Sequence, residues 1–102
     1  MTMESNKIIT HVELPVNPEF AKEVLFSANQ TKDLILLEDG TEVFVLTQKV
    51  EDPDTLVILA IYTSRELYEW HLEQVYVKSF FSFLGGKLLG APKVTYLKEV
   101  GI

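Results

Sequence analysis

The sequence of 102 residues predicts an α+β protein whose elements follow the order βαββαβ. Three observations support this prediction. Four segments are rich in β-branched and aromatic residues, which favour strands. Two regions among them carry apolar residues at helical spacing, and residues that favour turns or helix starts separate the segments. The length is that of one ordinary domain, so residues 1–102 are expected to form a single unit.

The first strand and the first helix are predicted from adjacent patterns. Residues 7–16 alternate between the two sides of a strand. Asn17, Pro18 and Glu19 then predict a helix start. Asparagine accepts from an unpaired amide, proline suits the first helical position, and glutamate suits the positive end of the helix dipole. The helix is expected to run into the thirties, although residues 34–37 are compatible with a strand by composition alone.

The next two strands are predicted to form an antiparallel hairpin. A turn at residues 38–40 precedes residues 41–49, and residues 56–62 follow the turn-forming residues 51–54. Because both extended segments are rich in β-branched and aromatic residues, they are typical of paired strands.

The second helical region is predicted in two parts. Residues 63–66 fit a capping box, in which Thr63 accepts at the helix start and Glu66 reaches back. A further helical stretch follows this first helix. Its apolar face is formed by Val77, Phe80, Phe81 and Leu84.

The end of the chain completes the topology. Gly85 and Gly86 can end the last helix in a left-handed cap, and Pro92 introduces a final strand over residues 93–100. The resulting order is the split βαβ pattern, which predicts a ferredoxin-like fold with a four-stranded antiparallel sheet.

The central strands are apolar on both faces, which predicts that two copies of the chain pair. In the third strand one face is formed by Leu56, Ile58, Ala60 and Tyr62, and the other by Val57, Leu59 and Ile61. A βαββαβ chain places both helical crossovers on one side of its sheet, so another layer must cover the second face. The same face of an identical chain is the economical cover, giving a homodimeric α+β barrel. The alternative is that short buried strands simply have continuous apolar sequences.

Charge and composition exclude several classes of partner. The formal net charge is −6 and the nine Lys and Arg residues are scattered, so neither nucleic acid nor an anionic membrane is expected as a partner. The absence of cysteine excludes disulfides and thiolate metal sites. The N-terminal residues lack the pattern of a secretory signal, and no apolar stretch reaches the roughly 18 residues of a membrane span. A soluble, cytoplasmic protein is therefore expected.

Four short motifs carry a resemblance to a known family. They lie at residues 51–54 (EDPD), 62–66 (YTSRE), 69–72 (EWHL) and 78–80 (KSF). Together they resemble the antibiotic biosynthesis monooxygenase (ABM) family of dimeric α+β barrels. Family members usually carry a glutamate near the end of the third strand and a tryptophan two residues later, where this chain has Ala60 and Tyr62. A second imidazole of many members is replaced here by Tyr76.

The resemblance implies a function. Members of this family oxygenate phenolic or quinol substrates without a metal or an organic cofactor, isomerise small phosphorylated signals, or degrade heme. The heme-degrading members carry a histidine ligand on the last helix, where the matching residue here is Phe81, so heme is disfavoured. No cofactor is expected.

Three residues are candidates for catalysis. His71 lies four residues after Leu67, on the helix face expected to turn toward the sheet, and an imidazole there could take a proton from a phenol or hold an oxyanion. The alternative is a packed histidine with one satisfied nitrogen. Tyr62 and Tyr76 are candidates to orient a substrate oxygen, and the alternative for both is a structural tyrosine with a solvated hydroxyl.

Four further residues are candidates for substrate binding. His11 lies near Glu13 on the first strand, where the pair is either a usable base or part of a solvent or interface face. Trp70, Phe80 and Phe81 would line an aromatic pocket, although aromatic residues at helical spacing usually form core.

Two functions remain open from the sequence. The first hypothesis is a cofactor-independent monooxygenase acting on a small aromatic or quinol-type molecule. The second is a non-catalytic dimeric module that binds a small apolar ligand or a protein partner. A metal site is not expected, because the two histidines are far apart and no clustered carboxylates give a recognised ligand spacing.

Overall fold

The computed structural model describes residues 6–101 and confirms the ferredoxin-like α+β fold. The four strands form one antiparallel sheet in the order β2-β3-β1-β4. The elements are β1 (Ile8–Pro15), α1 (Ala21–Ile35), β2 (Thr41–Gln48), β3 (Thr55–Tyr62), α2 (Arg65–Leu72), α3 (Val75–Phe83) and β4 (Lys93–Leu97). One turn of 3-10 helix, Pro18–Phe20, precedes α1.

The first helix begins as the sequence predicts. The Asn17 side chain accepts a hydrogen bond from the Glu19 amide at 3.0 Å, and Pro18 occupies the first position of the 3-10 turn. The helix ends at Ile35, so the alternative of a strand over residues 34–37 is wrong. Helical spacing prevails because it buries Val24, Ala28 and Ile35 together on one side of α1.

The start of α2 differs from the predicted capping box by one residue. Ser64, not Thr63, is the N-cap, and its hydroxyl accepts from the Leu67 amide at 3.2 Å. Thr63 instead donates to Glu42 at 3.0 Å. Because the chain is still extended at Ser64, the third helical position falls on Leu67 and no glutamate is placed there to reach back.

The last part of the chain follows the predicted order with a shorter strand. Gly86 has φ +77°, the left-handed conformation expected after the last helix. β4 ends at Leu97 rather than at residue 100 and pairs only with β1 among the described strands. It is therefore an edge strand.

The two faces of the sheet have different surroundings. The inner face packs against the helices, and its residues include Thr10, Val12, Leu14, Phe44, Leu46, Leu56, Ile58, Ala60, Tyr62, Val94 and Tyr96. The outer face carries Ile9, His11, Val43, Val45, Val57, Leu59, Ile61 and Leu97, which are half-buried or exposed. The sequence thus places apolar side chains on both faces, and the helices of residues 6–101 bury one of them.

An irregularity at the start of β2 brings Thr41 onto the inner face. Thr41 pairs with Tyr62 and Val43 pairs with Ile61, so Glu42 is an extra residue in the ladder. Without this bulge Thr41 and Val43 would lie on the same face. The bulge therefore turns the Thr41 side chain toward the helices, where the site described below is found.

Candidate active site

A cavity of about 300 Å³ lies between the inner face of the sheet and the three α-helices. Most of its lining is aliphatic or aromatic, and the lining residues within the described chain include no Lys, Arg, Asp or Glu. Its polar lining groups are two threonines, Thr10 and Thr31, and a cluster of rings at one end formed by Tyr62, Tyr68, His71 and Tyr96. The volume is at the lower end of the range of small-molecule pockets, and the apolar walls suit an aromatic guest.

His71 and Tyr62 form a buried pair at the polar end of this cavity. His71 is 5% exposed and Tyr62 is 3% exposed. The Nε2 atom of His71 lies 3.1 Å from the Tyr62 hydroxyl, and the ring centroids are 4.7 Å apart. Helical spacing explains the placement, because His71 lies one turn after Leu67 on the side of α2 that faces β3.

A buried carboxylate holds the other side of the imidazole. Glu38 lies in the turn between α1 and β2, and its two carboxylate oxygens are 2.9 and 3.0 Å from the His71 Nδ1 atom. The Thr41 hydroxyl donates to the same carboxylate at 3.0 Å, and the Tyr76 hydroxyl donates to it as well. An ionised carboxylate can only accept, so three donors from three different elements meet on one acceptor.

These contacts favour one tautomer of the imidazole. A carboxylate can only accept, so the contact with Glu38 favours hydrogen on Nδ1 of His71, and Nε2 is then the atom that accepts. Burial, and next the negative charge of Glu38, raise the pKa of Tyr62 well above its ordinary value. Tyr62 therefore keeps its proton at neutral pH, and with hydrogen on Nδ1 of His71 the Tyr62 hydroxyl donates to Nε2.

A glycine allows the Glu38 turn to approach α2. A Cβ atom built on Gly40 would lie 2.5 Å from the Cβ of Leu67, a distance that real structures do not show. The carbonyl of Gly40 also accepts from the Thr63 amide at 2.9 Å. The turn is thus held directly against the beginning of α2, which brings Glu38 to His71.

Two further tyrosines lie where the cavity meets solvent. The hydroxyls of Tyr68 and Tyr96 are 3.0 Å apart, and their rings meet edge to face. Tyr68 also stacks on His71, with ring centroids 6.3 Å apart and an interplanar angle of 18°. Burial, followed by the hydrogen bond to Tyr96, raises the pKa of Tyr68. Of the lining residues, Val94 and Tyr96 of β4 are exposed, as are Leu72 and Phe81 of the helices.

The structure brings together five of the seven candidate residues. Tyr62, His71, Phe80 and Phe81 line the cavity, and Tyr76 joins them through its hydrogen bond to Glu38. Their functional roles remain predictions.

The other two candidates lie elsewhere. His11 projects from the outer face of the sheet, because its register neighbours there are Leu59 and Thr95 and the strand alternation directs Thr10 and Val12 inward. Trp70 is 51% exposed and does not line the cavity, because it precedes His71 by one residue and so points away from the buried side of α2.

Sequence reasoning missed Glu38 and Tyr68. Glu38 has the local pattern of a turn residue, and nothing near it in sequence indicates a partner 33 residues away. Tyr68 gave a usable signal, since it lies three residues before His71 and so shares its helical face.

Two negative findings hold for residues 6–101. No group of three or more His, Cys, Asp or Glu side chains there is placed to hold a metal ion. No helix of the described chain has both the length and the apolar character needed to cross a membrane.

Fold and cavity together define a small ferredoxin-like α+β domain with an apolar ligand-sized cavity that ends in a hydrogen-bonded imidazole. The family model described as antibiotic biosynthesis monooxygenase matches residues 7–82, most of the described chain. The protein belongs to this antibiotic biosynthesis monooxygenase family. No curated protein matches the sequence.

Solved structures share the fold over nearly the whole chain. A proposed antibiotic biosynthesis monooxygenase of Nitrosomonas europaea is similar with a TM-score of 0.89 at 15% identity, covering 98% of this chain and 96% of its own. A second proposed monooxygenase of this kind, from Caulobacter crescentus CB15, has a TM-score of 0.88 at 24% identity, covering 95% and 92%. A conserved protein of Methanosarcina mazei Go1 has a TM-score of 0.88 at 19% identity, covering 94% and 95%. At these identities the likeness shows the fold alone.

Proposed function

We propose that this protein is a monooxygenase that oxidises a small, neutral aromatic or quinol-type molecule in the inner cavity, using neither metal nor organic cofactor. Membership of the antibiotic biosynthesis monooxygenase family supports the reaction class. The observation that carries the proposal is the buried chain of hydrogen bonds from Tyr62 through His71 to Glu38 at the end of an apolar cavity.

The lining of the cavity favours an uncharged substrate. A phosphate or carboxylate group would need basic partners, and no Lys or Arg lines the cavity within residues 6–101. Transfer of an unpaired charge into such a site is strongly unfavourable. Aromatic walls from Phe80 and Phe81 instead suit a planar ring, so a phenol, quinol or related aromatic carbon acid is the substrate class proposed.

The residues present can supply the proton transfer that such a reaction needs. A substrate hydroxyl or acidic C–H gives its proton to the Tyr62 oxygen, while Tyr62 passes its own proton to Nε2 of His71. The resulting imidazolium faces the Glu38 carboxylate, which stabilises its charge.

The delocalised substrate anion then reacts with dioxygen. For a ring CH₂ group, its carbon forms a bond to oxygen, and reprotonation gives a hydroperoxide. Loss of water leaves a carbonyl. One CH₂ and one O₂ become one C=O and one H₂O, so atoms and electrons balance without a further reductant. The apolar cavity assists by excluding water from the anion and by holding the ring in place.

A second copy of the chain is proposed as the cover of the outer face. Val45 and Leu97 are each 44% exposed and Leu59 is 37% exposed, although all three lie in strands of the sheet. Packing this face against the same face of a second chain would bury these side chains and give a symmetric barrel.

Oxygen consumption tests the proposed reaction. The protein is incubated with a panel of simple quinols and anthrone-like carbon acids, and dioxygen uptake is followed with an electrode. The H71A variant is expected to lower kcat by about 100-fold or more, the usual range for loss of a general acid–base group. Glu69→Ala, on the exposed side of the same helix, is the matched control and is expected to leave uptake unchanged.

A non-catalytic ligand-binding module is the second candidate function. The observation that favours it is Ala60, which stands on the inner face where family members usually carry a glutamate. If no member of the panel supports uptake while a quinol still quenches tyrosine fluorescence on binding, the binding function is favoured over catalysis. Uptake that is equal in H71A and in the unsubstituted protein would remove His71 from the mechanism.

A further inference from the structure

We propose that Glu38 is the positioning residue of this site and that Glu38 with Tyr76 forms the route by which the substrate proton leaves the buried cavity. The proposal deepens the function above and rests on it. No sequence motif indicates either role, and the geometry of the turn between α1 and β2 carries both.

The first role follows from the contacts of the carboxylate. Both Glu38 oxygens lie within 3.0 Å of Nδ1 of His71, and Glu38 is itself 8% exposed. A carboxylate in that position fixes the tautomer with hydrogen on Nδ1 and leaves Nε2 free to accept from Tyr62. With the other tautomer Nε2 would carry a hydrogen and could not take the proton of Tyr62. Glu38 thus determines which nitrogen serves the cavity.

The second role follows from where the hydrogen bonds lead. Tyr62 and His71 are buried and line the cavity, Glu38 is buried behind them, and Tyr76 is only partly buried. The contacts connect these groups in a single line from the cavity toward solvent. The overall reaction of CH₂ with O₂ releases no net proton, so the proton that leaves while the substrate anion reacts with dioxygen must return to the peroxide, and this line is a continuous path for both transfers.

Each step along the path exchanges one proton. The substrate proton enters at the Tyr62 oxygen, and the Tyr62 proton goes to Nε2 of His71. The Nδ1 proton of the imidazolium passes to Glu38. The neutral Glu38 then donates to the Tyr76 oxygen, whose own proton goes to water after the hydroxyl rotates. One proton enters and one leaves, and the imidazole is left with hydrogen on Nε2. When the peroxide is protonated, the same transfers run in reverse, from water through Tyr76, Glu38 and His71 to Tyr62, and restore the tautomer with hydrogen on Nδ1.

Four polar groups surround the His71 imidazole. Tyr62 from β3, Tyr68 from the same helix and Glu38 from the turn contact the ring, and Tyr76 from α3 acts through Glu38. Of these four groups only Glu38 is a carboxyl group. Removing its charge is therefore expected to change the imidazole more than removing any one hydroxyl.

Nitrogen NMR of the imidazole tests the positioning role without any substrate. In protein labelled with ¹⁵N-histidine, His71 is expected at neutral pH as the tautomer with hydrogen on Nδ1. The E38Q variant keeps the size of the side chain but its amide presents both a donor and an acceptor, so the shift pattern is expected to move toward a tautomer mixture. The matched control is E42Q, a glutamate on the exposed surface of β2, which should leave the pattern unchanged. If His71 in the unsubstituted protein carries its hydrogen on Nε2, the positioning role is overturned, and this holds even if E38Q fails to fold.

Steady-state kinetics tests the exit route. We expect E38Q to lower kcat by about 10- to 100-fold with KM nearly unchanged, and E38D to restore part of the rate because it keeps the charge. Tyr76→Phe should lower kcat as well while leaving the His71 tautomer as it is, because the hydroxyl is needed only for exit. Unchanged kcat in both E38Q and Tyr76→Phe would overturn the route.

The two measurements separate this proposal from the function on which it rests. A protein that consumes no dioxygen with any substrate, but whose His71 shows the expected tautomer and the E38Q change, contradicts the monooxygenase function and supports the positioning role. A protein that is active and whose His71 tautomer is unaffected by E38Q supports the function and overturns the positioning role.

Discussion

The Glu38 carboxylate accepts hydrogen bonds from β2, α2 and α3 at one buried point. Thr41, His71 and Tyr76 each supply one donor. Replacing Glu38 with alanine leaves these donors without an acceptor in a region that water does not reach freely. We expect Glu38→Ala to lower the free energy of unfolding by about 3 kcal/mol, the usual effect of removing one partner from a buried charged network. Urea denaturation followed by circular dichroism measures it.

A surface glutamate provides the comparison for this prediction. Glu42 forms an ion pair with Lys7 at 2.8 Å, and the side chains of Glu42 and Lys7 are 33% and 40% exposed, far more than that of Glu38. Glu42→Ala is expected to leave the free energy of unfolding nearly unchanged, because exposed ion pairs contribute little. Equal losses of unfolding free energy in Glu38→Ala and Glu42→Ala would contradict the expectation that burial makes the Glu38 hydrogen bonds stabilising.

The tyrosines predict how stability responds to alkaline pH. Burial raises the pKa of Tyr62, Tyr68 and Tyr76 in the folded protein, while the unfolded chain ionises near the ordinary value of 10.0. Below that value both states hold these protons, and the stabilisation is fully present. As pH rises above it the unfolded state loses protons first, so stability falls.

Denaturation at a series of pH values checks this expectation. The tyrosines should not change the urea concentration at the midpoint of unfolding between pH 7 and about 9. Above about pH 10, near the ordinary tyrosine pKa, this midpoint should decrease. Tyr62→Phe is expected to make the decrease shallower, because it removes one of the tyrosines whose pKa is higher in the folded than in the unfolded protein. Tyrosinate absorbance that rises near pH 10 with the amplitude of all four tyrosines in the folded protein would refute the assignment.

At the residue scale the sequence predicts the imidazole but not its partner. His71 could be assigned to the inner side of α2 because helical spacing relates it to Leu67, and Tyr62 because strand alternation relates it to Ile58 and Ala60. These relations are local. Glu38 reaches His71 only after α1, β2 and β3 have been arranged in space, so no periodicity within one element can reveal it.

At the scale of elements, the site depends on the contact between the α1–β2 turn and α2. Gly40 lies so close to Leu67 that any Cβ would overlap it. Gly40→Ala must therefore push the turn and the helix apart, which separates Glu38 from His71. We expect a loss of about 1–3 kcal/mol in the free energy of unfolding, the range for overpacking, together with a changed His71 tautomer pattern in NMR.

Gly90→Ala is the matched control for this substitution. The nearest atom to a Cβ at Gly90 is the Cγ of Pro15 at 3.9 Å, an ordinary contact. It is expected to leave both stability and the imidazole signals close to those of the unsubstituted protein. If Gly40→Ala behaves in the same way, the turn is not constrained as the geometry indicates.

Element boundaries follow from the sequence where a cap or a periodic face defines them. Asn17 and Gly86 act as the residue types predict, and the spacing of Val24, Ala28 and Ile35 extends α1 to its end. The α2 start was displaced by one residue because both Thr63 and Ser64 can cap a helix. Only the tertiary contact of Thr63 with Glu42 decides between them.

At the scale of the whole molecule, the outer face of the sheet is the surface through which we expect two copies of the chain to pair. Ile61 and Leu59 of β3 lie beside Ile9 of β1 and Val43 and Val45 of β2 on this face. The helices of the described chain lie on the other side, so the sequence property that predicted a dimer, apolar residues on both faces of the strands, corresponds to a real surface of the subunit. A contiguous apolar face of this kind is typical of surfaces that contact another chain.

Sedimentation velocity at micromolar concentration tests the second copy as the cover of this face. The unsubstituted protein is expected to sediment as a dimer. Leu59→Lys is expected to sediment as a monomer, because the substitution places a charge in the centre of the outer face, where the partner's apolar outer face would pack against it. Leu89→Lys makes the same chemical change at a loop residue that is 69% exposed, and it should stay dimeric. A stable, well-folded monomer of the unsubstituted protein would refute the barrel. In that event the outer face would need another cover, while the cavity and its Glu38–His71–Tyr62 chain, which lie wholly within one subunit, would remain to be tested on their own.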